Sequence, residues 1–131
     1  PYSAVIPLFI SAMLADRRPV IYGDGLQSRD FTYVDNVVQA NLRAADAPGA
    51  VGRVLNVANG KSVNLLELID ALNQLLGTAV EPLFQPRRPG DVWESMADIT
   101  LARSLLGYEP RVDFHDGLAL SIEYYREIAG K

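Results

Sequence analysis

Apolar positions along the chain change their period several times, and each change marks an element. From Ala4 to Leu14, the residues Val5, Ile6, Leu8, Phe9, Ile10, Met13 and Leu14 fit a buried helix, with Pro7 tolerable only in its first turn. Arg17-Arg18-Pro19 ends it. Val20-Ile21-Tyr22 is a short β-prone run, closed by the turn signal Gly23-Asp24-Gly25. Phe31 to Val34 reads as a second extended piece. Asp35 or Asn36 then caps a helix to about Ala45, with Val37, Val38, Asn41 and Leu42 at helical spacing, and Pro48-Gly49 breaks it.

Val54 to Ala58 is the strongest strand signal in the chain, turned by Asn59-Gly60. Asn64 with Glu67 forms a capping box for a leucine-rich helix that runs to Leu76 and stops at Gly77. Val80 to Phe84 predicts a strand, and the loop QPRRPGD follows it. Asp98 caps a short helix ending at Gly107, and Asp113 or Asp116 opens a last one to about Ile128. There are no repeats. The order of elements predicts a mixed α/β chain.

Composition narrows the function. At 131 residues the chain suits one domain, and nearly half of its residues are hydrophobic, which excludes a disordered chain. A formal charge of −4 argues against a broad nucleic-acid surface. No cysteine is present, so disulfides, thiolate metal sites and cysteine nucleophiles are excluded; the single histidine, His115, excludes a His-paired metal cluster. No apolar run reaches the roughly 18 residues that span a bilayer, so no membrane partner is expected and the expected location is cytoplasmic. The chain begins at Pro1 and enters an apolar run at once, which suggests a portion of a longer protein.

Candidate chemistry gathers in two loops. In PRRPGD, residues 86–91, two arginines stand between prolines, and Gly90 allows close backbone approach. Arginine takes phosphate oxygens in a fork and aspartate accepts from ribose hydroxyls, a toolkit for a sugar nucleotide. A solvated loop with local ion pairs is the other reading. Arg29 likewise either pairs with Asp30 or Asp24 or reaches for an anion. His115, beside Asp113 and Asp116, reads as capping or surface, and Trp93 with the Tyr124-Tyr125 pair as core or interface. Ser28, Ser95 and Tyr108 show no base partner, so no nucleophile is assigned.

The stretches AVIPLF, YGDGLQSRDFTYVDNVVQANLRAA, VLNVANGKSVNLLEL, RPGDVWESMADITLARSLLGYEP and GLALSIEYYRE, in that order, resemble the C-terminal half of nucleotide-sugar epimerases. These are the UDP-glucose and UDP-N-acetylglucosamine 4-epimerases of the extended short-chain dehydrogenase/reductase family. The resemblance covers essentially the whole chain. It implies that Arg29 and Arg88 contact the diphosphate and Asp91 the ribose, that Val20 and Tyr22 meet the base, and that Val5 and Phe9 wall the same pocket. Arg87 matches no such role.

The resemblance also shows what is missing. The family holds NAD on a glycine-rich turn after a first strand, and no G-x-x-G-x-x-G or G-x-G-x-x-G occurs here. It needs a Tyr-x-x-x-Lys pair, but the residues four before Lys61 and Lys131 are Val57 and Glu127. The expectation is a substrate-binding part carrying a remnant strand (54–58) and helix (36–45) of the Rossmann sheet. No catalytic, cofactor or metal residue is assigned, and NAD belongs to the parent. The expected partners are a UDP-sugar and a second copy of the chain, as a homodimer or domain-swapped pair. Within the family a dehydratase, decarboxylase or reductase is the alternative; outside it, a noncatalytic nucleotide-binding or assembly module.

Overall fold

The computed structural model describes residues 4–130, and the predicted α/β class is borne out. Helix α1 (Val5–Leu14) leads to strand β1 (Val20–Tyr22), strand β2 (Ser28–Arg29) and helix α2 (Val34–Ala45). A 3-10 turn at Pro48–Ala50 precedes strand β3 (Val63–Asn64), helix α3 (Leu65–Leu76), strand β4 (Leu83–Gln85), helix α4 (Thr100–Leu106) and helix α5 (Phe114–Ala129). The strands form two small pairs. β1 runs parallel to β4 with Val20 opposite Leu83, and β2 runs antiparallel to β3 with Ser28 opposite Asn64.

Local chemistry accounts for most element ends. Asn64 accepts the Glu67 N–H at 2.9 Å while the Glu67 carboxylate accepts the Asn64 N–H at 2.8 Å, so two of the donors at the start of α3 are met reciprocally. Asp113 opens α5 by accepting the Asp116 N–H at 2.9 Å. Gly77, Gly107 and Gly130 end α3, α4 and α5 in the left-handed conformation. The main core joins Phe9, Ile10 and Met13 of α1, Ile21 of β1, Leu68 and Leu72 of α3, and Leu118 and Ile122 of α5. Each such side chain, once buried, contributes roughly 1.5–3 kcal/mol. A smaller core around Ala40, Ala58, Ile99, Ala102 and Tyr108 sits between α2 and α4.

Four predictions need correction. Residues 53–57 have no regular structure, and Val54 is 92% exposed, so the strongest strand signal forms no strand. A strand exists by virtue of a partner ladder, and no described strand lies beside it. α2 starts at Val34 after Tyr33, so Asp35 lies in its first turn and Asn36 inside it. Its apolar stripe faces outward: Val38 and Leu42 are exposed, and the buried residues are Asn36 and Ala40. Ser28–Arg29 rather than 31–34 makes the second strand, because Ser28 and Arg29 find backbone partners at 63–64. β4 starts at Leu83, not Val80, whose N–H and carbonyl are instead taken by the Asn73 side chain.

Two side chains tie distant segments together. Asp30 accepts the N–H groups of Asn59 and Gly60, both at 2.9 Å, and more loosely that of Ala97 at 3.4 Å. Tyr108, fully buried, donates its hydroxyl to the Ala58 carbonyl at 2.8 Å. Burial, and then the nearby Asp30 charge, pushes the Tyr108 phenol above its ordinary value. The unfolded phenol ionises near 10, so this contribution to stability is full below about pH 10 and is lost as pH rises through the folded value. Tyr108→Phe is expected to cost about 1–3 kcal/mol at neutral pH, because the Ala58 carbonyl loses its donor. Denaturant titrations at several pH values check both parts: the alkaline fall in stability should be shallower in the variant, and equal slopes would remove the assignment.

Candidate functional site: an arginine-lined cleft

Strand alternation builds one wall of the site. Ile21 points into the core, so Val20 and Tyr22 point to the opposite face of β1, where both are half-buried. Helical spacing places Val5 and Phe9 on one face of α1. All four, together with Arg29, Arg88 and Asp91, line one open cleft of about 1100 Å³. The structure therefore brings every sequence-predicted site residue to a single cavity. Its size slightly exceeds the usual range of small-molecule sites, about 300–1,000 Å³.

The charge of the cleft is opposite to that of the chain. Among the described residues, its lining includes Arg17, Arg18, Arg29 and Arg88, against one acid, Asp91. Arg18 is partly engaged, donating to the carbonyls of Glu81 and Pro82, both at 2.8 Å, where it fixes the approach to β4. Arg29 donates to Asp91 Oδ1 at 2.8 Å and to its neighbour's carbonyl, Ser28 O, at 2.7 Å. Neither Asp30 nor Asp24 is its partner: Asp30 holds backbone amides, and Asp24 accepts the Leu26 N–H. The Arg88 guanidinium lies over the Tyr22 ring, 3.6 Å from its centroid.

Sequence explains how Arg88 and Asp91 come to face the same space. Pro89 and Gly90 are the middle residues of a turn closed by the Asp91 N–H on the Arg88 carbonyl, at 3.3 Å. Gly90 has φ +80°, the value a type II turn requires at its third position. Its role is thus conformational, since open space surrounds it. Arg87 points elsewhere, over Trp93 at 5.1 Å, and does not line the cleft. Trp93 and Tyr124 are exposed while Tyr125 packs against the main core. His115 is exposed in the first turn of α5.

Two features of the cleft are not legible in residue spacing. Leu83 N–H bonds to Pro19 O and Gly23 N–H to Gln85 O, so alternate residues of β1 address β4. In a parallel ladder Val20 then turns its own N–H and carbonyl to the open edge. Gln27, 5% exposed, donates its amide to the Tyr22 carbonyl at 2.7 Å and leaves Oε1 without a partner among the described residues. Because a carbonyl only accepts, the amide nitrogen must face Tyr22, and the oxygen is the free end. Its signal was a glutamine two residues before Arg29, on the same face of an extended segment.

Residues 2–58 match the model of the NAD dependent epimerase/dehydratase family. The chain is 39% identical over 124 residues to a UDP-glucose 4-epimerase of Mycolicibacterium smegmatis, covering 95% of this chain and 39% of that protein. Over residues 2–58 it resembles that epimerase family. The chain is also similar to the crystal structure of a UDP-glucose 4-epimerase with UDP-glucose from Thermotoga maritima. There the TM-score is 0.89 at 37% identity, over 96% of this chain and 40% of that one. A UDP-N-acetyl-alpha-D-glucosaminuronate decarboxylase of Bacillus cytotoxicus is 31% identical over 98% of this chain and 41% of its own length. The chain thus spans about 40% of the length of these relatives.

The matched family is NAD dependent, and no glycine turn of the kind that holds a dinucleotide is seen among the described residues. A dinucleotide pyrophosphate needs a glycine turn running from a parallel strand into a helix N-terminus. The turn after β1 leads into β2, and the space at Gly25 is filled by Leu66. No group of three or more potential metal ligands occurs among the described residues, and no helix there is long and apolar enough to cross a membrane.

Proposed function

We propose that this chain is the substrate-binding part of a UDP-sugar 4-epimerase, gripping the nucleotide while NAD-dependent chemistry at the sugar is carried by other parts of such a protein. The observation that supports this most is the convergence of four arginines on one cleft of a net acidic chain. Arg29 and Arg88 take the diphosphate through charge-assisted hydrogen bonds. Asp91 accepts from the ribose. The open-edge N–H and carbonyl of Val20 stand side by side, matching the acceptor and donor of an imide such as uracil, and Tyr22, Val5 and Phe9 wall the base. Two relatives named as 4-epimerases favour this reaction over the decarboxylation named for the third. Such an enzyme works where UDP-sugars and NAD are found, so a cytoplasmic location belongs to the same reading.

Mechanistically, this chain's residues bind and orient. No Tyr-x-x-x-Lys pair is present, so proton transfer at the sugar hydroxyl is assigned to no residue here. Isothermal titration of the chain with UDP tests the grip. A charge-assisted hydrogen bond contributes about 1.5–3 kcal/mol, so Arg88→Ala is expected to weaken UDP roughly 10- to 100-fold. Equal affinities for the native chain and the variant would overturn the reading.

A further inference from the structure

The only acid among the described residues that line the cleft, Asp91, is not free. Asp91 Oδ1 sits 2.8 Å from Arg29 Nη2, where an anionic ligand oxygen would bind, while Oδ2 has no hydrogen bond among the described residues. Both side chains are 29% exposed, so an incoming anion can reach the pair. The backbone that presents this carboxylate is held by the Arg88–Asp91 turn and by Arg87 Nη2, which donates to the Asp91 backbone carbonyl at 3.2 Å.

From this geometry we propose that Asp91 is a specificity-determining residue: it acts as the resident counter-ion of Arg29 and so selects diphosphates that bring hydroxyl donors against those that do not. This rests on the UDP-sugar reading above and adds to it a reason for rejecting bare phosphates. Pyrophosphate arriving at Arg29 places anionic oxygens beside a carboxylate and offers it nothing in return. Like charges held this close disfavour binding. A nucleoside diphosphate brings the same anion together with a ribose diol, whose hydroxyls donate to Oδ2 and keep the carboxylate satisfied. Discrimination then comes from a repulsion that only the right ligand relieves.

Calorimetry with three probes, UDP, 2′,3′-dideoxy-UDP and inorganic pyrophosphate, tests the proposal. The native chain is expected to bind UDP about 10-fold or more tighter than 2′,3′-dideoxy-UDP, as loss of hydrogen bonds to a charged acceptor implies. In Asp91→Asn, pyrophosphate is expected to bind roughly 3- to 10-fold tighter, and the preference for UDP over pyrophosphate to fall about 10-fold. Asp91→Glu, which keeps the charge, is expected to retain most of the preference. An unchanged preference in Asp91→Asn, or weaker pyrophosphate binding, overturns the proposal. Should Asp91→Asn not fold, the native chain decides: equal affinity for UDP and its dideoxy analogue overturns it. UDP binding that depends on Arg88 while the preference ignores Asp91 removes only the selectivity role. No UDP binding by the native chain removes both.

Discussion

Replacing Asn36 by alanine is expected to lower the stability of the chain by about 3–5 kcal/mol, a large share of the roughly 5–15 kcal/mol available to a domain. Asn36 is 1% exposed and its side chain substitutes for a missing strand neighbour. Oδ1 accepts the N–H groups of Arg111 at 2.9 Å and Val112 at 3.1 Å, while Nδ2 donates to the Val112 carbonyl at 2.7 Å. Alanine leaves the partly buried N–H groups of Arg111 and Val112 and the acceptors Val112 O and Asn59 Oδ1 without this partner, an unmet buried group costing about 1–3 kcal/mol, and water entering the space recovers part of this. For a chain of this size the melting temperature should fall by about 10–15 °C. Differential scanning calorimetry measures it directly. A fall of under about 3 °C would show that the segment 111–112 is held by other contacts.

Gly25→Ala is expected to cost about 2–4 kcal/mol through two independent causes. Gly25 has φ +83°, which an alanine adopts only with strain of about 1–2 kcal/mol. A Cβ there would also stand 2.7 Å from Leu66 Cδ2 and 3.3 Å from Ile21 Cδ1. The backbone cannot retreat, because the Gly25 carbonyl accepts the N–H groups of Leu65 at 3.0 Å and Leu66 at 3.4 Å, anchoring the start of α3. Overpacking of this kind costs roughly 1–3 kcal/mol. Chemical denaturation of a mutant cycle separates the causes. Placed in a Leu66→Ala background, Gly25→Ala should lose its steric part and keep its backbone part. Identical costs in both backgrounds would assign the whole effect to φ.

Signals that act within a few residues were legible in the sequence, and signals that need a distant partner were not. The Asn64–Glu67 box and the stop at Gly77 depend on one turn of chain, and both stand as predicted. The cleft residues were legible only through resemblance to a family. Spacing alone left Arg29 between a local ion pair and an anion, and the structure gives it an ion pair with the remote Asp91. α2 misled because Val38 and Leu42 carry the periodic apolar signal while Asn36, a polar residue, carries the burial. Periodicity reports where apolar side chains lie around a helix, not which face its neighbours cover. Residues 54–58 have the composition of a strand, but composition cannot supply a partner.

The parallel pairing of β1 with β4 has a consequence for how the molecule comes into being. Arg18 bonds to Glu81 across 63 residues, and Arg29 to Asp91 across 62. Closing loops of that length loses chain entropy before any contact rewards it, so contacts of high sequence separation form slowly. Helix α3 carries its own capping box and terminal glycine, whereas the cleft depends on segments far apart in the chain. Arg17, Arg18 and Arg29 lie roughly sixty residues or more from the Arg88–Asp91 turn, and only long-range closure brings the two groups to one cleft. Recognition therefore waits on folding: a nascent or partly opened chain holds all the arginines yet has no place in which to use them together.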